Sequence, residues 1–112
     1  MSVRTETRLW IAQRASAAML ALFVAVHLAT MIVAVRGGLS AADILARTRG
    51  SVAWALFYAL FVLAVAVHAP IGLRNIAGEW LNWRGRAANA CCVAIGVFLL
   101  ALGWRAVAAV TL

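Results

Sequence analysis

Hydrophobic positions in this chain come in long blocks with few interruptions, and most polar positions collect between them. Residues 9–35, 52–73 and 87–111 each supply the roughly 20 apolar residues that an α-helix needs to cross about 30 Å of hydrocarbon. The pattern therefore predicts three transmembrane helices. After the first span, Arg36-Gly37-Gly38 stops the helix, and Ser40 followed by Asp43 is an N-cap signal for a short interfacial turn. That turn ends at Arg47, Thr48, Arg49 and Gly50. Between the second and third spans, residues 74–86 contain Glu79, Trp80, Trp83 and Arg84, an amphipathic belt suited to the boundary between water and lipid. Trp10, Trp54 and Trp104 also fall near span ends.

Composition narrows the class. With 67% hydrophobic residues in 112 and a mean hydropathy of +1.02, the chain is too apolar and too short to hide that surface in a soluble core. Its ten basic residues are all arginine, against three acids. Most of them lie between apolar spans rather than along one groove-facing face, so lipid headgroups explain them better than nucleic acid. Arg4 and Arg8 precede an apolar run, as in a secretory leader, but the run extends far past a leader's core without a cleavage site. The segment reads as a retained first helix. Cys91 and Cys92 are adjacent within a span and read as small packing residues.

Three crossings put the N-terminus and the second loop on one side, with Arg4, Arg8, Arg14, Arg74, Arg84 and Arg86. Arg36, Arg47, Arg49 and Arg105 remain for the other side, so the positive-inside rule places the N-terminus in the cytoplasm. There is no internal repeat, low-complexity tract or sign of a second domain, and residues 1–112 read as a single membrane-anchor domain. Small residues (Ala15, Ser16, Ala17 and Ala18 early, Gly96 and Gly103 late) offer faces where another helix backbone can approach closely. A partner chain is expected.

The chemistry lies in two histidines, His27 and His68, each within an apolar span. An imidazole in hydrocarbon is costly unless it pairs, relays a proton or ligates a metal. Counting from boundaries near Arg8 and Arg74, the 1.5 Å rise places His27 about 28 Å deep and His68 about 9 Å deep. Separated by about 19 Å along the membrane normal, they cannot hold one iron between them. A low-spin b-type haem wants two axial ligands, so a haem on either histidine would draw its second ligand from another subunit. Pro70 and Gly72 follow His68 closely. Pro70 cannot donate to the Ala66 carbonyl, which loosens the helix, and Gly72, one turn on, removes a side chain from a cofactor-packing face. Arg74 stands within reach of a haem propionate or a quinone carbonyl. A polar contact between helices is the alternative use of either histidine.

These residues carry a resemblance. His68-Ala-Pro-Ile-Gly72-Leu-Arg74 matches the H-x-x-x-G-[IL]-R signature of the cytochrome b membrane anchor, C subunit, of succinate dehydrogenase and fumarate reductase. Trp10-Ile-Ala-Gln13-Arg14-Ala-Ser16-Ala resembles that family's S-x-x-H-R-x-[ST]-G, with Trp10, Gln13 and Ala17 as departures. Glu79 falls where the family commonly has an aspartate. The resemblance implies an all-α membrane protein whose helices pack with a second membrane-anchor subunit into a haem-binding bundle. It implies His68 as an axial ligand of haem b, and Arg14 and Ser16 at the quinone. His27-Leu28 resembles the first helix of the two-haem anchors, which makes His27 a candidate ligand of a second haem. The implied function is docking of a flavoprotein and iron-sulfur pair on the cytoplasmic face, with electron transfer to or from membrane quinone. The setting is a bacterial inner membrane, and this chain carries no catalytic residue for the carbon chemistry.

Two rival readings use the same spans. A haemless structural anchor would keep the histidines as interhelical hydrogen-bond donors. A small proton-relay or transport subunit would line a polar path with them, but beyond the histidines only Thr30 and Asn89 read as well inside a span.

Overall fold

The computed structural model describes residues 2–38 and 40–112. It contains α1 (Val3–Arg36), α2 (Ala41–Thr48), α3 (Val52–Trp80) and α4 (Arg86–Thr111), with no strand among the described residues. Each of the first three starts at a serine whose hydroxyl accepts a backbone N–H of the first turn: Ser2 from Thr5, Ser40 from Asp43, and Ser51 from Trp54. Gly37 closes α1 by donating its N–H to the Val33 carbonyl at 3.0 Å. Gly85 precedes α4 at φ +107°, a conformation open to glycine and strained for other residues.

α1, α3 and α4 are long and apolar enough to cross a membrane, and little of their apolar surface is buried within the chain. Two of the helices run beyond the expected spans. At 34 residues α1 is about 51 Å long, so its N-terminal turns, with Arg4, Glu6 and Arg8, project beyond the hydrocarbon. α3 continues past residue 73 to Trp80, running through a buried Gly78 with no proline to stop it. The amphipathic belt is therefore half helix, and the connection to α4 is confined to residues 81–85.

α3 is the central helix, packed on α1 along one side and on α4 along another. The α1 face is a heptad-like stripe of Leu9, Gln13, Ser16, Leu20, Phe23, His27, Thr30 and Ala34, buried or half-buried while most residues between them are exposed. Four of those eight are polar. That inverts the soluble pattern, because in lipid the polar groups are the ones that gain by facing another helix. The register is antiparallel: Glu6 meets Arg74, Gln13 lies against Gly72, Ser16 faces His68, Phe23 stacks on Phe61, and His27 faces Tyr58.

The α3–α4 seam is closer. A Cβ added at Gly96 would lie 2.7 Å from Pro70 Cγ, and one at Gly103 would lie 2.5 Å from Val62 Cγ1. The two late glycines therefore serve packing inside this chain, and only the exposed Ala15, Ala17 and Ala18 remain of the small-residue faces expected to meet a partner. Cys92 is buried and Cys91 is exposed, so only one of the cysteines is a packing residue. α2 docks on the end of α4 through Thr48 Oγ1, which donates to the Val110 carbonyl at 2.6 Å, and Gly50 N–H, which donates to the Thr111 carbonyl at 2.8 Å.

Candidate functional site

His68 stands in the α1–α3 seam, half-buried, with its Nδ1 3.4 Å from Ser16 Oγ. Ser16 is 5% exposed and donates its own hydrogen to the Gln13 carbonyl at 3.1 Å. Among the described residues, Nε2 of His68 has no hydrogen-bond partner. An imidazole with one nitrogen engaged by a hydroxyl and the other free matches how protein histidines are oriented for a metal. An imidazole so placed could supply one nitrogen ligand to a haem iron. One turn towards the α1 N-terminus, Gln13 lies against Gly72, where a Cβ would come 3.3 Å from Gln13 Nε2. Gln13 Oε1 is buried with no hydrogen-bond partner among the described residues.

His27 forms a second level. Its Nδ1 is 3.4 Å from the Tyr58 hydroxyl, and its ring meets Tyr58 and Phe61 edge-on with centroids 5.9 and 5.8 Å apart. It borders a cavity of about 590 Å³ that reaches across α3 to Leu99, Gly103 and Val107. Because His68 is level with Ser16, the eleven residues from Ser16 to His27 measure the spacing of the two sites, about 16 Å along α1. This is close to the separation expected from the span boundaries, and it keeps the histidines apart as two sites. Among the described residues no cluster of three or more His, Cys, Asp or Glu side chains exists, so any iron held here would draw on one imidazole of this chain at each level.

Arg14 and Ser16, expected together at a quinone, point different ways. Two residues apart on a helix, they are about 200° apart around it. Ser16 faces α3, whereas Arg14 is exposed with its guanidinium 5.5 Å from the Trp10 ring centroid. Arg74, within α3, reaches the starts of α1 and α4: its Nη2 pairs with Glu6 at 2.9 Å and its Nε donates to Asn89 Oδ1 at 3.2 Å. Asn89, read from sequence as an intramembrane polar residue, is thereby placed at the start of α4, level with Arg74. Glu6, Arg74, Glu79, Arg84 and Asn89 surround a polar recess of about 500 Å³ at this boundary.

Sequence reasoning passed over Tyr58 and Glu6, and met Gln13 only as a departure from a motif. Tyr58 is the one tyrosine in the chain, which is a signal of sorts, but 31 positions separate it from His27 and only the helix register joins them. A search of the curated proteins returns no match, and a search of the solved structures returns none either. The model of one family, the succinate dehydrogenase/fumarate reductase transmembrane subunit, matches residues 1–108 of this three-span chain, which therefore belongs to that family.

Proposed function

We propose that this chain is the haem b-binding membrane anchor of a succinate:quinone oxidoreductase-type complex in a bacterial inner membrane. It docks the iron-sulfur and flavoprotein subunits at the arginine-rich, cytoplasmic end of the bundle and transfers electrons to or from membrane quinone. The observation that carries this reading is His68, half-buried in the seam with Ser16 on Nδ1 and Nε2 open. His68 would hold a haem that would supply a one-electron redox level in the membrane, with a further ligand coming from the second membrane-anchor subunit.

The residues around His68 have separate tasks. Gly72 leaves room for the Gln13 amide beside the ligand turn. Arg74, held between Glu6 and Asn89, keeps a fixed positive charge at the same boundary, where a propionate or a quinone oxygen is the fitting partner. Arg14, exposed and always protonated, is the donor for a quinone carbonyl at a pocket completed by another subunit.

The test is haem content. The assembled complex would be purified with the parent chain, His27→Ala or His68→Ala, and haem b quantified by reduced-minus-oxidised and pyridine-haemochrome spectra. Loss of haem with His68→Ala is the expected outcome. A parent complex without haem would overturn the reading in favour of a bare structural anchor.

A further inference from the structure

Each histidine meets a hydroxyl of the opposite helix at Nδ1, and at the same distance, but the two hydroxyls differ in what else they hold. Ser16 Oγ gives its hydrogen to the Gln13 carbonyl at 3.1 Å. A serine hydroxyl has one hydrogen and two lone pairs, so with that hydrogen on Gln13 it accepts from His68. The 3.4 Å contact is then made by a hydrogen on His68 Nδ1, and a neutral imidazole protonated there carries its lone pair on Nε2.

Tyr58 is the opposite case. Among the described residues its hydroxyl has His27 Nδ1 as its hydrogen-bond partner and no carbonyl to donate to. Its ring meets those of Trp54 and Phe57, neither of which offers an acceptor. A phenol with one partner donates to it, since accepting would leave its own O–H unmade. His27 Nδ1 then accepts, and its hydrogen resides on Nε2. Neither nitrogen of His27 offers a lone pair to a metal.

We infer that Ser16 and Tyr58 set opposite tautomers on the two histidines, so that His68 is held ready to ligate while His27 is held as a hydrogen-bonded strut between α1 and α3. Ser16 is thereby a positioning residue acting on His68, in place of the quinone contact its motif suggests. Tyr58 is the counterpart that withholds His27, and the complex carries one haem on this chain. The consequence for haem rests on the reading of His68 as axial ligand; the tautomers belong to the haem-free chain and can be measured without it.

The two histidines give the chain a two-residue nitrogen spectrum. The full-length chain, labelled with ¹⁵N-histidine, would be placed in lipid vesicles at a pH where both rings are neutral, with His27→Gln used to assign the signals. The hydrogen is expected on Nδ1 of His68 and on Nε2 of His27. Ser16→Ala should convert His68 alone to a mixture, Tyr58→Phe should do so for His27 alone, and Ser16→Thr should keep the parent tautomer at His68. In the assembled complex, Ser16→Ala should weaken haem retention about 10-fold while Ser16→Thr restores it. The same tautomer on both rings, or two haems with one lost in His27→Ala, would overturn the inference. A haem-free parent complex with the expected tautomers would uphold the assignment and remove only the proposed haem function.

Discussion

Glu6 and Arg74, 68 positions apart in sequence, form a 2.9 Å ion pair that ties the projecting start of α1 to α3. The same guanidinium holds Asn89, so one side chain of α3 links the starts of the other two long helices. The carboxylate is half exposed and the arginine largely covered, which makes the pair itself a small term, roughly 0–1 kcal/mol. Glu6→Gln should therefore change stability little. Arg74→Ala removes the link to α4 as well and should cost more, and reversible unfolding in detergent mixtures compares the two. Equal losses would show that Asn89 contributes nothing.

The α3–α4 seam should tolerate no added bulk on its glycines. Gly103→Ala would bring a methyl within 2.5 Å of Val62 Cγ1 and should destabilise by about 1–3 kcal/mol. Val62→Ala in the same chain removes the obstructing methyls and should recover most of that loss. If the double variant is no better than Gly103→Ala, the close contact is not the cause. Unfolding midpoints of the two chains decide it.

Thr48 has a narrower task. Its hydroxyl donates to the Val110 carbonyl at 2.6 Å and lies close to its own helix carbonyl at Ile44, fastening α2 to the end of α4. Thr48→Val keeps the shape and removes the hydroxyl, with an expected cost of about 1 kcal/mol. Faster hydrogen exchange confined to α2 and the C-terminal turn of α4 is the expected signature; uniform exchange across the bundle would mean that α2 docks by other contacts.

Arg14 separates quinone chemistry from haem binding. It is exposed on the outer face of α1, away from His68, so Arg14→Ala should leave haem content unchanged. Loss of a charged donor to a quinone carbonyl, worth about 1.5–3 kcal/mol, should raise the KM for quinone about 10-fold or more. Succinate oxidation with a soluble dye as acceptor should be unaffected in the same preparation. A parallel loss of haem would place Arg14 at the haem instead.

The sequence alone determined the three crossings, since a run of apolar residues long enough for the bilayer has few other uses. It also determined that the histidines occupy two levels, because the helical rise converts residue number into depth. Even the divergence of Arg14 and Ser16 is present in their two-residue spacing. What it left open were the partners across the seams. Ser16 meets His68 and Tyr58 meets His27 only through the antiparallel register of α1 on α3, which is set jointly by Phe23 against Phe61, Gln13 against Gly72 and Glu6 against Arg74. Gly96 and Gly103 read as surfaces for another chain until α4 closed on Pro70 and Val62. Local composition fixes how deep a side chain lies in the membrane, whereas the rotation and register of each helix depend on long-range contacts, and those are tertiary facts.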